Sequence, residues 1–93
     1  MAENERMKGN EFMKSKDFRE AVDCYSKSLE INPDEAATYS NRALAYLRLK
    51  EFNRAIDDAN AALKINPEYL KAYHRRAKAY FGLNKFEIAI KDF

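Results

Sequence analysis

Apolar positions return along this chain in a fixed phase. Phe18, Phe52 and Phe86 stand 34 residues apart, and so do Ala21, Ala55 and Ala89, and Val22, Ile56 and Ile90. The endings Leu29–Pro33 (LEINP) and Leu63–Pro67 (LKINP) superpose at the same offset. The second and third copies agree at ten positions, from Tyr39/Tyr73 to Asp58/Asp92. Within a copy, the apolar residues recur at helical spacing, as in Phe18, Ala21, Val22, Tyr25 and Leu29. That stripe belongs to an amphipathic helix. One such unit cannot bury its stripe alone, so a chain of this kind is a repeat array held together by its neighbours.

The pattern predicts helices over about residues 2–15, 18–31, 36–49, 52–65 and 70–83, with another opening at Phe86. The third helix is expected to bury Tyr39, Ala43, Tyr46 and Leu47, and the fourth Phe52, Ala55, Ile56, Ala59 and Leu63. Asn32-Pro33 and Asn66-Pro67 stop helices, because a residue before proline is pushed out of the α region. Asp34 is expected to cap the third helix. Small residues at 9, 43 and 77 and at 21, 55 and 89 let helices approach closely, beside Phe12, Tyr46 and Tyr80. The expected architecture is all-α: helix pairs stacked into a right-handed superhelix with a concave inner face. The whole chain reads as one domain, with repeats at about 2–35, 36–69 and 70–93. The last repeat stops at Phe93 without a solvating helix, so Phe86, Ile90 and Phe93 should lack cover. The expectation is a piece of a longer protein, able to self-associate through that end.

Composition narrows the class. Ninety-three residues make one small domain, and two Gly and two Pro suit helices better than turn-rich sheets. No apolar run is long enough to span a membrane, and the polar N-terminus is no secretory signal. A single cysteine, Cys24, forms no internal disulfide and fits a reducing, cytoplasmic setting. The net charge of +2 is too small to argue for nucleic acid.

The candidate chemistry is expected on the first helix of each repeat, whose free face would line the groove. That face carries Arg6, Asn10, Met13 and Lys14, then Ala37, Asn41, Leu44 and Arg48, then Lys71, His74, Arg75 and Lys78. Lys71, Arg75 and Lys78 stand at i, i+4 and i+7 and share one side of their helix. Cationic and amide donors converging in this way suit a carboxylate, which arginine can chelate and asparagine can donate to. Asn41 is the least replaceable, since its NH2 donates without adding charge. No acidic residue is expected in the groove beyond Glu3 near its end.

The 34-residue period resembles the tetratricopeptide repeat, with a small residue at the eighth position, an aromatic at the eleventh, Ala at the twentieth and Pro at the thirty-second. Glu5, Tyr39 and Tyr73 replace the Trp frequent at the fourth position. The groove resembles the dicarboxylate clamp of co-chaperones such as the heat-shock organising protein, protein phosphatase five and small glutamine-rich families. KGNEF puts Asn10 on the first clamp Asn, YSNRA puts Asn41 on the second, and LKAYHRRA puts Lys71 and Arg75 on the last pair. Arg6 stands where the family has Lys, which keeps the charge but changes its shape. The resemblance implies a non-enzymatic module that binds the C-terminal tail of heat shock protein 90 or 70, ending Glu-Glu-Val-Asp. Upstream tail residues would meet Met13, Leu44, Arg48, His74, Lys78 and Phe81.

Blander readings stand beside these. Lysines and arginines on helices are commonly solvated, and Asn10 and Asn41 could serve as local caps. Arg42 and Arg76 recur at the structural phase and are expected to pair between helices. His74 has no nucleophile beside it and no second histidine for a metal. Asp57 and Asp58 are adjacent on a helix, point apart and form no acid–base dyad. Cys24 is expected to be partly buried. No cofactor is implied. The rival functions are a scaffold that binds a partner lacking a free C-terminus, and a basic groove for nucleic acid with steep salt dependence.

Overall fold

The structure, a computed structural model, describes residues 2–83. Five helices follow in order: α1 (Ala2–Lys14), α2 (Phe18–Ile31), α3 (Ala36–Arg48), α4 (Phe52–Ile65) and α5 (Leu70–Gly82). No strand occurs among the described residues. Phe86, Ile90, Phe93 and the self-association ascribed to them lie outside the described residues.

The turns inside the first two repeats end their helices the same way. Lys16 and Lys50 adopt the left-handed region, with φ of 63° and 61°. Asp17 N–H then donates to Phe12 O at 2.8 Å, and Glu51 N–H to Tyr46 O at 2.9 Å, which satisfies carbonyls the helix leaves free. The turns between repeats use the Asn-Pro signal. Asn32 Oδ1 accepts from Asp34 N–H at 3.3 Å, and Asn66 Oδ1 from Glu68 N–H at 3.1 Å, a side-chain mimic of a backbone turn. Asp34 does not cap α3. Its N–H is taken by Asn32, and Glu35 holds the cap position, its backbone O accepting from Thr38 N–H at 3.2 Å.

The core is built on alanine. Ala21, Ala43, Ala45, Ala55 and Ala79 are fully buried beside Val22, Tyr25 and Tyr46. Phe12, Met13, Leu47, Leu49, Phe52 and Ile56 pack around them without being fully covered. A methyl group at a helix crossing lets backbones close up, and the large side chains fill the flanks. Tyr39, Leu47, Phe52, Ile56 and Leu63 are therefore half-buried, whereas Ala43, Tyr46, Ala55 and Ala59 are buried as expected. Gly9 marks a close approach: a Cβ there would stand 2.6 Å from Tyr25 Cε1. A Cβ at Gly82 would stand closer still, 2.2 Å from Phe52 Cε1. Cys24 is buried.

Polar ties cross between repeats. Arg42 donates from Nε and Nη2 to Asp58 Oδ2 and Oδ1, both at 2.7 Å, and from Nη1 to Ser26 Oγ at 3.0 Å. One guanidinium thus joins α2, α3 and α4, as its repeat phase predicts. Asp58 is buried and Asp57 exposed, so the two carboxylates do point apart. Burial pushes the Asp58 carboxyl up, and Arg42 pulls against that rise. Arg76 donates to Asn60 Oδ1 at 3.0 Å and lies over the Tyr73 ring. Arg19 pairs with Glu51 at the α3–α4 turn.

Helices α1, α3 and α5 contact one another in sequence, while α2 and α4 pack behind them. The first helix of each repeat therefore forms one wall, and the groove residues lie on that wall.

Candidate functional site

Asn10 on α1 and Asn41 on α3 meet at the centre of the wall. Asn41 Nδ2 donates to Asn10 Oδ1 at 3.4 Å. The same oxygen accepts from the Tyr25 hydroxyl at 2.6 Å. Tyr25 belongs to α2 and is 1 % exposed, so the hydroxyl is a fixed post delivered from behind the wall. Burial raises its phenol to about 12, which keeps it a donor across the neutral range. With its carbonyl held, Asn10 is left with its NH2 to offer a ligand. Tyr25 was read from sequence only as part of the apolar stripe. The signal for more was Gly9, whose missing side chain makes room for the ring.

One turn back along α1 stands Arg6, whose Nη1 donates to Glu35 Oε1 at 2.8 Å. This overturns the expectation of a groove without acids beyond Glu3. Glu35 is 29 positions away in the chain and reaches the wall because the α2–α3 turn folds against α1. The buried Thr38 hydroxyl also donates to Glu35 Oε1. Those two hydrogen bonds, Thr38 first and then Arg6, hold the Glu35 carboxyl below the usual range against burial.

On α5, Arg75 is half-buried, and its Nε has no hydrogen-bond partner among the described residues. Burial lowers its guanidinium below the usual value; Tyr69 opposes this and nearby Arg48 adds to it. A half-buried guanidinium with an unpaired donor carries a free hydrogen-bonding position that an acceptor oxygen could fill. Lys71, one turn back on the same helix, is exposed, as are His74, Lys78 and Phe81. Leu44 is half-buried beside Asn41 in sequence, and Arg48 is exposed. Met13 packs on the core edge and, with Lys14, Lys16, Phe18 and Arg48, lines a recess of about 470 Å³ beyond the amides. Lys16 and Phe18 were not expected there; the left-handed turn at Lys16 brings them round.

Direct contacts thus form two sets: Arg6 and Thr38 on Glu35, and Asn41 and Tyr25 on Asn10. Arg75 and Lys71 stand one turn apart on α5, and among the described residues no side-chain hydrogen bond or ion pair ties Lys71 to the others.

Family models described as TPR repeat and tetratricopeptide repeat match residues 9–50, 36–69 and 70–93. The first TPR domain of Spaghetti (RPAP3), solved bound to an HSP90 peptide SRMEEVD, is 44% identical with a TM-score of 0.91, over 98% of this chain and 72% of that one. This chain belongs to the tetratricopeptide repeat family. It is a helical-repeat module for protein–protein interaction. The second TPR domain of human RPAP3, solved with an HSP70 peptide SGPTIEEVD, is 32% identical with a TM-score of 0.90, over 98% of this chain and 76% of that one. Human serine/threonine-protein phosphatase 5 is 45% identical over 47 residues, covering 50% of this chain. The match spans only 9% of the phosphatase's length. Among the described residues, no helix is long and apolar enough to cross a membrane.

Proposed function

We propose that this tetratricopeptide repeat chain binds the C-terminal tail of heat shock protein 90 or 70, ending Glu-Glu-Val-Asp. Arg6, Asn10, Asn41, Lys71 and Arg75 form the clamp on the terminal carboxylate and the last Asp side chain. The observation that carries this reading is the amide pair at the centre of the wall, with Asn10 oriented by Tyr25 and Arg75 holding an unused Nε. Two amides and several cations match the acceptor oxygens of two carboxylates, and neither a helix nor a nucleic-acid backbone needs that set. The Spaghetti domain, solved with its HSP90 peptide, and this chain's 44% identity to it support the same reading. The recess lined by Met13 and Arg48 would take a residue upstream of the last four. The module works as a co-chaperone adaptor in the cytoplasm and carries out no chemistry itself.

Calorimetric titration with a peptide ending Met-Glu-Glu-Val-Asp, against its C-terminally amidated twin, tests this. Binding should be on the order of micromolar, since ordering a flexible tail opposes the contact energy. It should disappear on amidation and in Asn41→Ala and Lys71→Ala. Equal binding of both peptides would remove the clamp and favour a scaffold role.

A further inference from the structure

We propose that Glu35 is a built-in competitor for Arg6, a positioning residue that weakens tail binding by holding that cation when the groove is empty. This inference rests on the clamp reading above.

Among the described residues, Lys71, Arg75, Arg48 and Lys78 make no ion pair, whereas Arg6 does. Its partner is fixed rather than incidental. Glu35 Oε1 accepts from both Arg6 Nη1 and the fully buried Thr38 hydroxyl, so the carboxylate cannot swing away without abandoning Thr38. Arg6 and Glu35 are each about a third exposed, at 30% and 29%, so a ligand can reach the pair. A carboxylate arriving at Arg6 meets a guanidinium already neutralised and a second negative charge beside it. It must share Arg6 with Glu35 or displace it, and either costs affinity. Arginine suits this arrangement better than lysine: its planar fork can keep one N–H on Glu35 while turning others outward.

The test is a double-mutant cycle read by calorimetry with the free-acid Met-Glu-Glu-Val-Asp peptide. Glu35→Gln removes the charge but keeps a carbonyl oxygen for Thr38. It should tighten binding about two- to five-fold, the range for a part-exposed ion pair. The gain should shrink towards nothing in the Arg6→Ala background. Carbon-detected NMR of the Glu35 carboxyl supplies a readout that a folding role would not move: its titration midpoint should rise on saturation with peptide, as Arg6 turns to the ligand. Unchanged or weaker binding by Glu35→Gln would overturn the proposal and make Glu35 a support that pre-orients Arg6. An equal gain in both backgrounds would also overturn it, leaving only a general charge effect. If neither the wild type nor Glu35→Gln binds the free acid while both are folded, the clamp reading itself falls, and the competitor with it.

Discussion

Replacing Tyr25 by Phe removes one oxygen from a residue that is otherwise left in place. The ring is 1 % exposed and fills the space opposite Gly9, so its packing is retained. What is lost is the 2.6 Å hydrogen bond to Asn10 Oδ1, which then keeps only the longer 3.4 Å donation from Asn41. A neutral hydrogen bond of this kind contributes about 1 kcal/mol net. In a domain this small, that loss lowers the midpoint of thermal unfolding by about 4–8 °C. Binding should suffer separately. Asn10 would no longer be held, and ordering it again on the ligand costs about 0.5–1.5 kcal/mol, or about two- to ten-fold in affinity. Circular dichroism melts and calorimetry with the free-acid peptide measure the two effects. A variant that melts lower yet binds with full affinity would refute the claim that Tyr25 orients the clamp. A variant unchanged in both would refute the hydrogen bond. The phenol offers a further check through pH. Its folded value, about 12, lies above the ordinary 10.0 because burial disfavours the phenolate. A raised folded value means the fold disfavours the phenolate: nothing is lost below pH 10, and about 2–3 kcal/mol of stability is lost as pH rises from 10 through 12. Tyr25→Phe should remove that alkaline loss.

Three other outcomes follow from the packing. Gly9→Ala places a Cβ 2.6 Å from the Tyr25 ring and should destabilise by about 1–3 kcal/mol in a urea melt, with weaker peptide binding as the ring shifts. Lys50→Gly relieves a left-handed lysine at φ 61° and should raise stability by about 0.5–1 kcal/mol in the same assay, since the relief exceeds the extra chain entropy. Arg42→Ala strands the buried Asp58 carboxylate and should cost about 3 kcal/mol at neutral pH. That cost should shrink in acid, as Asp58, already pushed up by burial, becomes neutral.

The helices, their order and their stops follow from short-range rules that the sequence states openly. Period 3.6 makes the stripes, Asn-Pro ends them, and the 34-residue repeat says that each unit stacks on the next. The proposed clamp positions came from the resemblance to the co-chaperone repeats, laid onto those helices. Asn10, Asn41, Lys71 and Arg75 sit at fixed places on helices whose faces the repeat assigns. Arg42 was legible as a structural residue by its phase, although its partner Asp58 on α4 was not. What the repeat could not assign are contacts made by residues outside the periodic faces. Glu35 lies in a turn, and its meeting with Arg6 across 29 residues depends on how α1 seats against the α2–α3 connection. Tyr25 looked like any stripe residue; only the close approach at Gly9 carries its hydroxyl through to Asn10. Burial of the Arg75 Nε likewise follows from α5 closing on α3. Period and local propensity act within a few residues and so can be read along the chain. The orientation of an amide and the pairing of a cation are decided by side chains that become neighbours only once the helices have packed.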